Sequence, residues 1–141
     1  MAKTETFTSE ERAAMKERVK ETKASRGKVS PEEAEAEVLA KIEEFDEADR
    51  DLAAKVHAVI RKAAPELTPR LWYGMPAYAK GGKTICFFQP SGKFKARYST
   101  LGFNDGAALD DGAMWPVAFA VTKMTAALEK QITALVKQAA G

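Results

Sequence analysis

The 141-residue chain contains one cysteine, Cys86, and one histidine, His57. A single cysteine excludes a disulfide within the chain. A transition-metal site of histidine and cysteine needs three or four such ligands, so the chain cannot supply one. A cysteine nucleophile needs a positioned base, and the chain has no second histidine for that role. The sequence therefore favours a protein that is not an enzyme, and we assign no catalytic residue.

The chain also lacks long apolar runs and a strong excess of charge. No apolar run approaches the roughly 20 residues that span a bilayer. Residues 1–20 are rich in acids and have no apolar segment of the kind found in signal peptides. We therefore expect no membrane partner and a cytoplasmic location. The net charge of +2 is too small to indicate a polyanionic partner, which disfavours nucleic acid.

The sequence predicts a structural role for each of the two rare residues. His57 follows Val56 on the apolar stripe of a predicted helix, which indicates a boundary histidine with a surface or capping contact. Cys86 lies between Ile85 and Phe87, and free cysteine in such a context behaves as a small buried hydrophobe.

The first thirty residues are predicted to form a helical extension and a linker. Thr8 and Glu11 have the spacing of a capping box, which starts a helix expected to continue to about Ala24. We therefore divide the chain into an extension, residues 1–30, and a domain, residues 31–141. The helix has few apolar positions, so it is expected to be mobile or to dock weakly. A neighbouring surface or a second copy of the chain, as in a homodimer, would contact its apolar residues Phe7, Met15 and Val19.

Three further helices are predicted within the domain. Ser30 and Glu33 form a second capping box, and Pro31 suits the first helical turn. Apolar residues then recur at helical spacing as far as Pro65, and again near the C terminus. The predicted helices are residues 31–45, 47–64 and 125–139.

Residues 71–121 are predicted to form an antiparallel sheet of three to five strands. Residues 70–80 have the composition of a strand with a break at Gly74, and Gly81–Gly82 predicts the hairpin turn that follows. Residues 114–121 leave a strand and a helical turn open as alternatives. The order of elements predicts an α+β fold, a small antiparallel sheet packed on one face by helices.

The segment after the hairpin indicates a further, half-buried strand. In residues 94–100, Phe94, Ala96 and Tyr98 alternate with Lys95, Arg97 and Ser99, so the strand would have one polar face. Of the aromatic residues before it, the core under the helices is expected to include Tyr73, Met75 and Phe87. The side chains expected to face a ligand are Trp72, Tyr78 and those of the polar strand.

The motif YGMPAY at residues 73–78, followed by a glycine–lysine turn and the strand ICFF, resembles the YdhG-like family of small domains of unknown function. The similarity extends over roughly residues 37–140. It implies a compact α+β domain, in agreement with the pattern of elements. Some members of that family are described as frataxin-like intracellular iron chaperones, so the resemblance also implies an iron-handling role.

Two kinds of binding site stay open as hypotheses for this intracellular binding protein. Glu33, Glu37 and Glu44 recur on one helix face and could hold iron weakly through carboxylate oxygens. A solvated helix face with lysine and arginine partners explains the same pattern. The alternative site is a surface for a small anionic ligand. Its residues would be Trp72, Tyr78, Lys83, Lys95, Arg97 and Trp115.

Overall fold

The computed structural model describes residues 8–16 and 30–141. These residues form an α+β fold with four helices and a five-stranded antiparallel sheet, as the sequence predicts. Within them, no helix is long and apolar enough to cross a membrane. The helices are α1 (residues 9–16), α2 (Pro31–Glu43), α3 (Glu47–Ala63) and α4 (Ala126–Ala140). The strands are β1 (Thr68–Trp72), β2 (Met75–Lys80), β3 (Lys83–Gln89), β4 (Ser99–Phe103) and β5 (Ala118–Val121).

Side-chain caps determine where the helices of the domain begin. At α2, Ser30 Oγ accepts a hydrogen bond from the backbone N–H of Glu33, and the Glu33 carboxylate accepts one from the N–H of Ser30. Asp46 caps α3 and Thr125 caps α4 in the same way, each accepting from the N–H three residues later. These bonds satisfy N–H groups that have no partner within the helix. The predicted starts of the three helices are therefore confirmed within one residue.

The five strands follow one another in the sheet in the order of the chain. Trp72 and Met75 are paired, so only Tyr73 and Gly74 connect β1 to β2. Both turn residues have positive φ, 54° at Tyr73 and 75° at Gly74, as a two-residue turn with the twist of the sheet requires. The turn lies at the break predicted at Gly74, and it folds residues 70–80 into two paired strands of a hairpin.

The two faces of the sheet have different partners. Tyr78 and Cys86 are paired across β2 and β3, and they face α2, α3 and α4 across the main core. Phe87 pairs with Gly102 on the opposite face, which we call the aromatic face. This face also carries Trp72 and Met75 and lies under α1.

The strand predicted over residues 94–100 is present only at Ser99 and Thr100, and the prediction was wrong for residues 94–98. Gly92–Phe94 form a single 3-10 turn, Lys95 has a φ of 55°, and β4 begins only at Ser99. The buried carboxylate of Asp49 holds this loop, because it accepts hydrogen bonds of 2.9 Å from Ser91 Oγ and 2.8 Å from the backbone N–H of Gly92. At residues 118–121 the strand alternative is confirmed as β5.

Candidate functional site

A cavity of about 380 Å³ lies between α1 and the aromatic face of the sheet. Most of its lining is aromatic or contains sulfur, and its polar side chains include Glu11 and Gln89. Pockets for small molecules have this size and this balance of many apolar groups and few polar ones. The cavity is lined by Glu11, Ala14, Met15, Trp72, Tyr73, Met75, Phe87, Gln89 and Phe94.

The floor of the cavity depends on a glycine in β4. A Cβ atom placed on Gly102 would lie 2.3 Å from Cζ of Phe87, so the phenyl ring rests directly on the glycine backbone. The ring centroid of Trp72 lies 5.2 Å from that of Phe87, and the two planes are inclined by 51°. Gly102 therefore leaves the space that the Phe87 ring occupies on the cavity floor, and a larger residue would displace the ring.

One wall of the cavity comes from a residue in an unfavourable conformation. Tyr73 has a φ of 54°, a region where glycine and asparagine are common and aromatic residues are rare. Its ring meets Trp72 edge-to-face, with centroids 4.9 Å apart and an angle of 77°. Strained backbone that the surroundings maintain is concentrated at functional sites. Here it places a third aromatic ring against the cavity.

The first described helix, α1, forms the opposite wall. Its capping box is present: Thr8 Oγ1 accepts from the N–H of Glu11, and Glu11 Oε1 accepts from the N–H of Thr8. Ala14 is buried against the sheet, and Glu10 forms a 2.9 Å ion pair with Lys95 of the loop. The predicted helix start is confirmed. Of the expected docking residues, Met15 lines the cavity, whereas Phe7, Val19 and the predicted helix beyond residue 16 lie outside the described residues.

A chain of buried hydrogen bonds crosses the core on the other side of the sheet. Nδ1 of His57 lies 2.9 Å from the Tyr78 hydroxyl, and Nε2 lies 2.9 Å from the Glu35 carboxylate. Arg61 Nε donates to the same Glu35 oxygen over 3.1 Å. His57 is buried, so the prediction of a boundary histidine with a surface or capping contact was wrong. The feature of the sequence that indicated burial of His57 was its position on the apolar stripe of the predicted helix.

The pKa shifts along this chain define its protonation state. Burial lowers the pKa of His57 below 6.5, despite the opposing effect of Glu35. Burial also raises the pKa of Tyr78 far above its ordinary value, so the hydroxyl keeps its proton and donates it to Nδ1. Nε2–H then donates to Glu35, whose pKa is lowered because the hydrogen bond from His57 and the charge of Arg61 outweigh burial. At neutral pH the His57–Glu35 contact is therefore a hydrogen bond that a neutral imidazole donates to a carboxylate.

The stability of the protein is expected to fall as the pH decreases from about 7 to 5.5, because His57 must remain neutral. A lowered folded-state pKa means that the unfolded chain binds more protons in this window, so protonation below pH 6.5 favours unfolding. The charged or titratable groups around the imidazole are Glu35, Arg61, Tyr78 and Cys86. The pKa of Glu35 is lowered, so the stabilising contribution of its ionised carboxylate is lost only as the pH falls below 4.5, outside this window.

Urea unfolding of the wild type and of His57→Gln at several pH values checks this expectation. The variant should show a flatter pH dependence between about pH 5.5 and 7, since glutamine does not titrate. A wild-type free energy of unfolding that stays constant or rises as the pH falls through this window would contradict the assigned protonation state.

Cys86 is a buried hydrophobic residue, as predicted. It is fully buried, and burial raises the pKa of its thiol to about 12. A thiol with so high a pKa is not a nucleophile at neutral pH. Because it faces the helices, Cys86 also lies on the opposite side of the sheet from the cavity.

The residues predicted to bind an anionic ligand do not come together. Trp72 alone among them lines the cavity, while Tyr78 is fully buried under the helices. Lys83 is exposed at the β2–β3 hairpin. The other three lie apart from the cavity: Lys95 pairs with Glu10, Arg97 lies against the Tyr98 ring, and Trp115 packs on the main core. Conversely, Tyr73, Met75 and Phe87, which were expected in the core under the helices, line the cavity.

The glutamates predicted to hold iron are used in other ways or are exposed. Glu33 completes the capping box of α2, Glu44 forms a 3.1 Å ion pair with Lys41, and Glu37 is exposed. In the part of the chain that the structure describes, no group of three or more histidine, cysteine, aspartate or glutamate side chains could hold a metal ion.

The fold and the site define a class: an α+β domain with a cavity of ligand size on the sheet face opposite its main helices. Comparison of the chain with models of protein families, with curated proteins and with solved structures finds no match. The resemblance to the YdhG-like family therefore stays a prediction.

Proposed function

We propose that this protein binds a small, largely apolar molecule in the cavity between α1 and the aromatic face. The observation that carries the proposal is the cavity itself, whose volume of about 380 Å³ falls in the range of ligand pockets. Its lining includes four aromatic and two methionine side chains. Aromatic rings and methionines present large, adaptable contact surfaces to an apolar ligand.

The same arrangement supports binding rather than catalysis. The only histidine and the only cysteine of the chain are buried on the other side of the sheet. The Tyr78 hydroxyl is fully buried there as well, in a hydrogen bond with His57. The cavity therefore has neither a thiol nor an imidazole among its lining side chains, and the groups it offers suit recognition.

The proposal keeps the hypothesis of a small ligand that the sequence suggested. It moves the site to the cavity, and the ligand is largely apolar rather than anionic. Of the basic residues that suggested an anionic ligand, Lys83 begins β3 and Lys95 and Arg97 lie in the loop before β4, where Lys95 is paired with Glu10. The carboxylate at the cavity is that of Glu11. An iron-handling role stays a prediction of the family resemblance, and ferrous iron titrated into the Glu33→Gln and Glu37→Gln variants tests it separately.

The neutral dye N-phenyl-1-naphthylamine, which fluoresces strongly only in apolar surroundings, provides a direct test. We expect saturable binding of one dye molecule per chain. Trp72→Ala should weaken this binding by at least about tenfold, because it removes a wall of the cavity.

Trp115→Ala is the matched control, since Trp115 is also a half-buried tryptophan but packs on the main core. Its dye affinity should stay within about twofold of the wild-type value. Circular dichroism should confirm that both variants are folded at the temperature of the titration. Absence of saturable binding, or an equal loss in the two variants, would refute the proposed function.

A further inference from the structure

We infer that the ligand of this cavity carries an organic ammonium group, bound between the aromatic rings and Glu11. The inference rests on the proposed function and adds the chemical class of the ligand. Three independent features support it: the charge of the lining, the arrangement of the rings and the way in which the carboxylate is held.

The charge of the lining favours a cation. Among the described residues that line the cavity, Glu11 is the one acid, and none is lysine, arginine or histidine. The nearby loop lysine, Lys95, is neutralised by its ion pair with Glu10. An anion would therefore enter a site with one negative charge and no lysine, arginine or histidine in its lining, whereas a cation would find an opposite charge.

The arrangement of the rings favours the same class of ligand. The Trp72 and Tyr73 rings are in edge-to-face contact at 77°, and both line the cavity together with Phe87 and Phe94. A cation within about 6 Å of a ring centroid is attracted by the negative face of the ring, most strongly at tryptophan. Several rings around one cavity are the arrangement that binds quaternary ammonium groups in proteins.

The carboxylate of Glu11 is held in place before any ligand arrives. Its Oε1 accepts the N–H of Thr8 over 2.9 Å within the capping box, which orients the side chain at the first turn of α1. The second oxygen keeps its capacity to accept. A preorganised carboxylate loses less conformational entropy when it binds a ligand than a mobile one.

A pair of isosteric probes tests the inference. Choline and 3,3-dimethyl-1-butanol have the same shape, but only choline has a positive charge. In competition with N-phenyl-1-naphthylamine on the full chain, choline should bind at least about tenfold more tightly than the neutral alcohol.

Two glutamate-to-glutamine substitutions supply the variant and its control. Glu11→Gln keeps an acceptor for the Thr8 N–H, because glutamine also forms capping boxes, so it removes the charge and leaves the helix start. It should reduce the preference for choline to about twofold or less. Glu37→Gln, on α2, removes an exposed carboxylate that does not line the cavity. It should retain the preference for choline.

The possible results separate the two proposals. If the dye binds but choline and the alcohol have equal affinities, the inference is overturned and the proposed function still stands. A preference for choline that survives in Glu11→Gln also overturns it. Failure of the dye and of both probes to bind overturns the inference together with the proposed function.

Discussion

Replacing Tyr78 with alanine is expected to lower the free energy of unfolding by about 3–5 kcal/mol, the usual cost of truncating a large, fully buried aromatic residue. Tyr78 has no exposed surface and lies in the main core. The substitution also leaves Nδ1 of buried His57 without its partner, and an unsatisfied buried polar group adds to the cost. The effect is large because one side chain serves both the apolar core and the buried hydrogen-bond chain.

Urea unfolding monitored by circular dichroism measures this loss. Tyr98→Ala is the control, because Tyr98 is exposed in a loop, and its effect should stay within about 0.5 kcal/mol. Tyr78→Phe removes only the hydroxyl and should cost about 1–3 kcal/mol, which provides a measurable variant if the alanine protein does not fold. A loss below about 1 kcal/mol for Tyr78→Ala would show that this position is not part of the core.

Replacing Gly102 with valine is expected to reduce dye binding by more than about tenfold while costing about 1–3 kcal/mol of stability. A Cβ atom at this position would lie 2.3 Å from the Phe87 ring, so the ring must leave its place on the strand. Because Phe87 lines the cavity, its displacement is expected to change the shape of the binding space.

Gly106→Ala is the control for this substitution. Its Cβ would meet only Cδ1 of Ile85, at 3.2 Å, and neither residue lines the cavity. Dye affinity should therefore remain within about twofold of the wild-type value. Normal dye binding in a folded Gly102→Val protein would mean that the floor formed by Phe87 does not shape the site.

The caps and apolar periodicity predicted the helices and the class of fold, because both signals are local. Ser30, Asp46 and Thr125 begin their helices through contacts with residues three positions away, and such contacts can be recognised in the sequence. The loop after β3 could not be predicted in this way. Its conformation depends on Asp49, a residue more than forty positions earlier in the chain.

The faces of Tyr73, Tyr78 and Phe87 were predicted wrongly, and for Tyr78 the reason is identifiable. In a continuous strand, Trp72 and Tyr78 would lie on one face, since side chains alternate with a period of two. The two-residue turn at Tyr73–Gly74 instead pairs Trp72 with Met75, so Tyr78 falls on the opposite face. Had the glycine been recognised as a hairpin turn, the sequence would have predicted both the cavity wall and the buried tyrosine.

The central claim, that the cavity beside Trp72 binds a ligand, is tested most directly by nuclear magnetic resonance. The chain has two tryptophans, so its two indole N–H signals report on two separate places. Titration of the wild-type protein with benzyl alcohol should shift the Trp72 signal and the backbone signals of Gln89 and Gly102 in a saturable manner. The Trp115 signal should stay in place. Shifts confined to Trp115 and its neighbours, or no saturable shift at Trp72, would contradict the account.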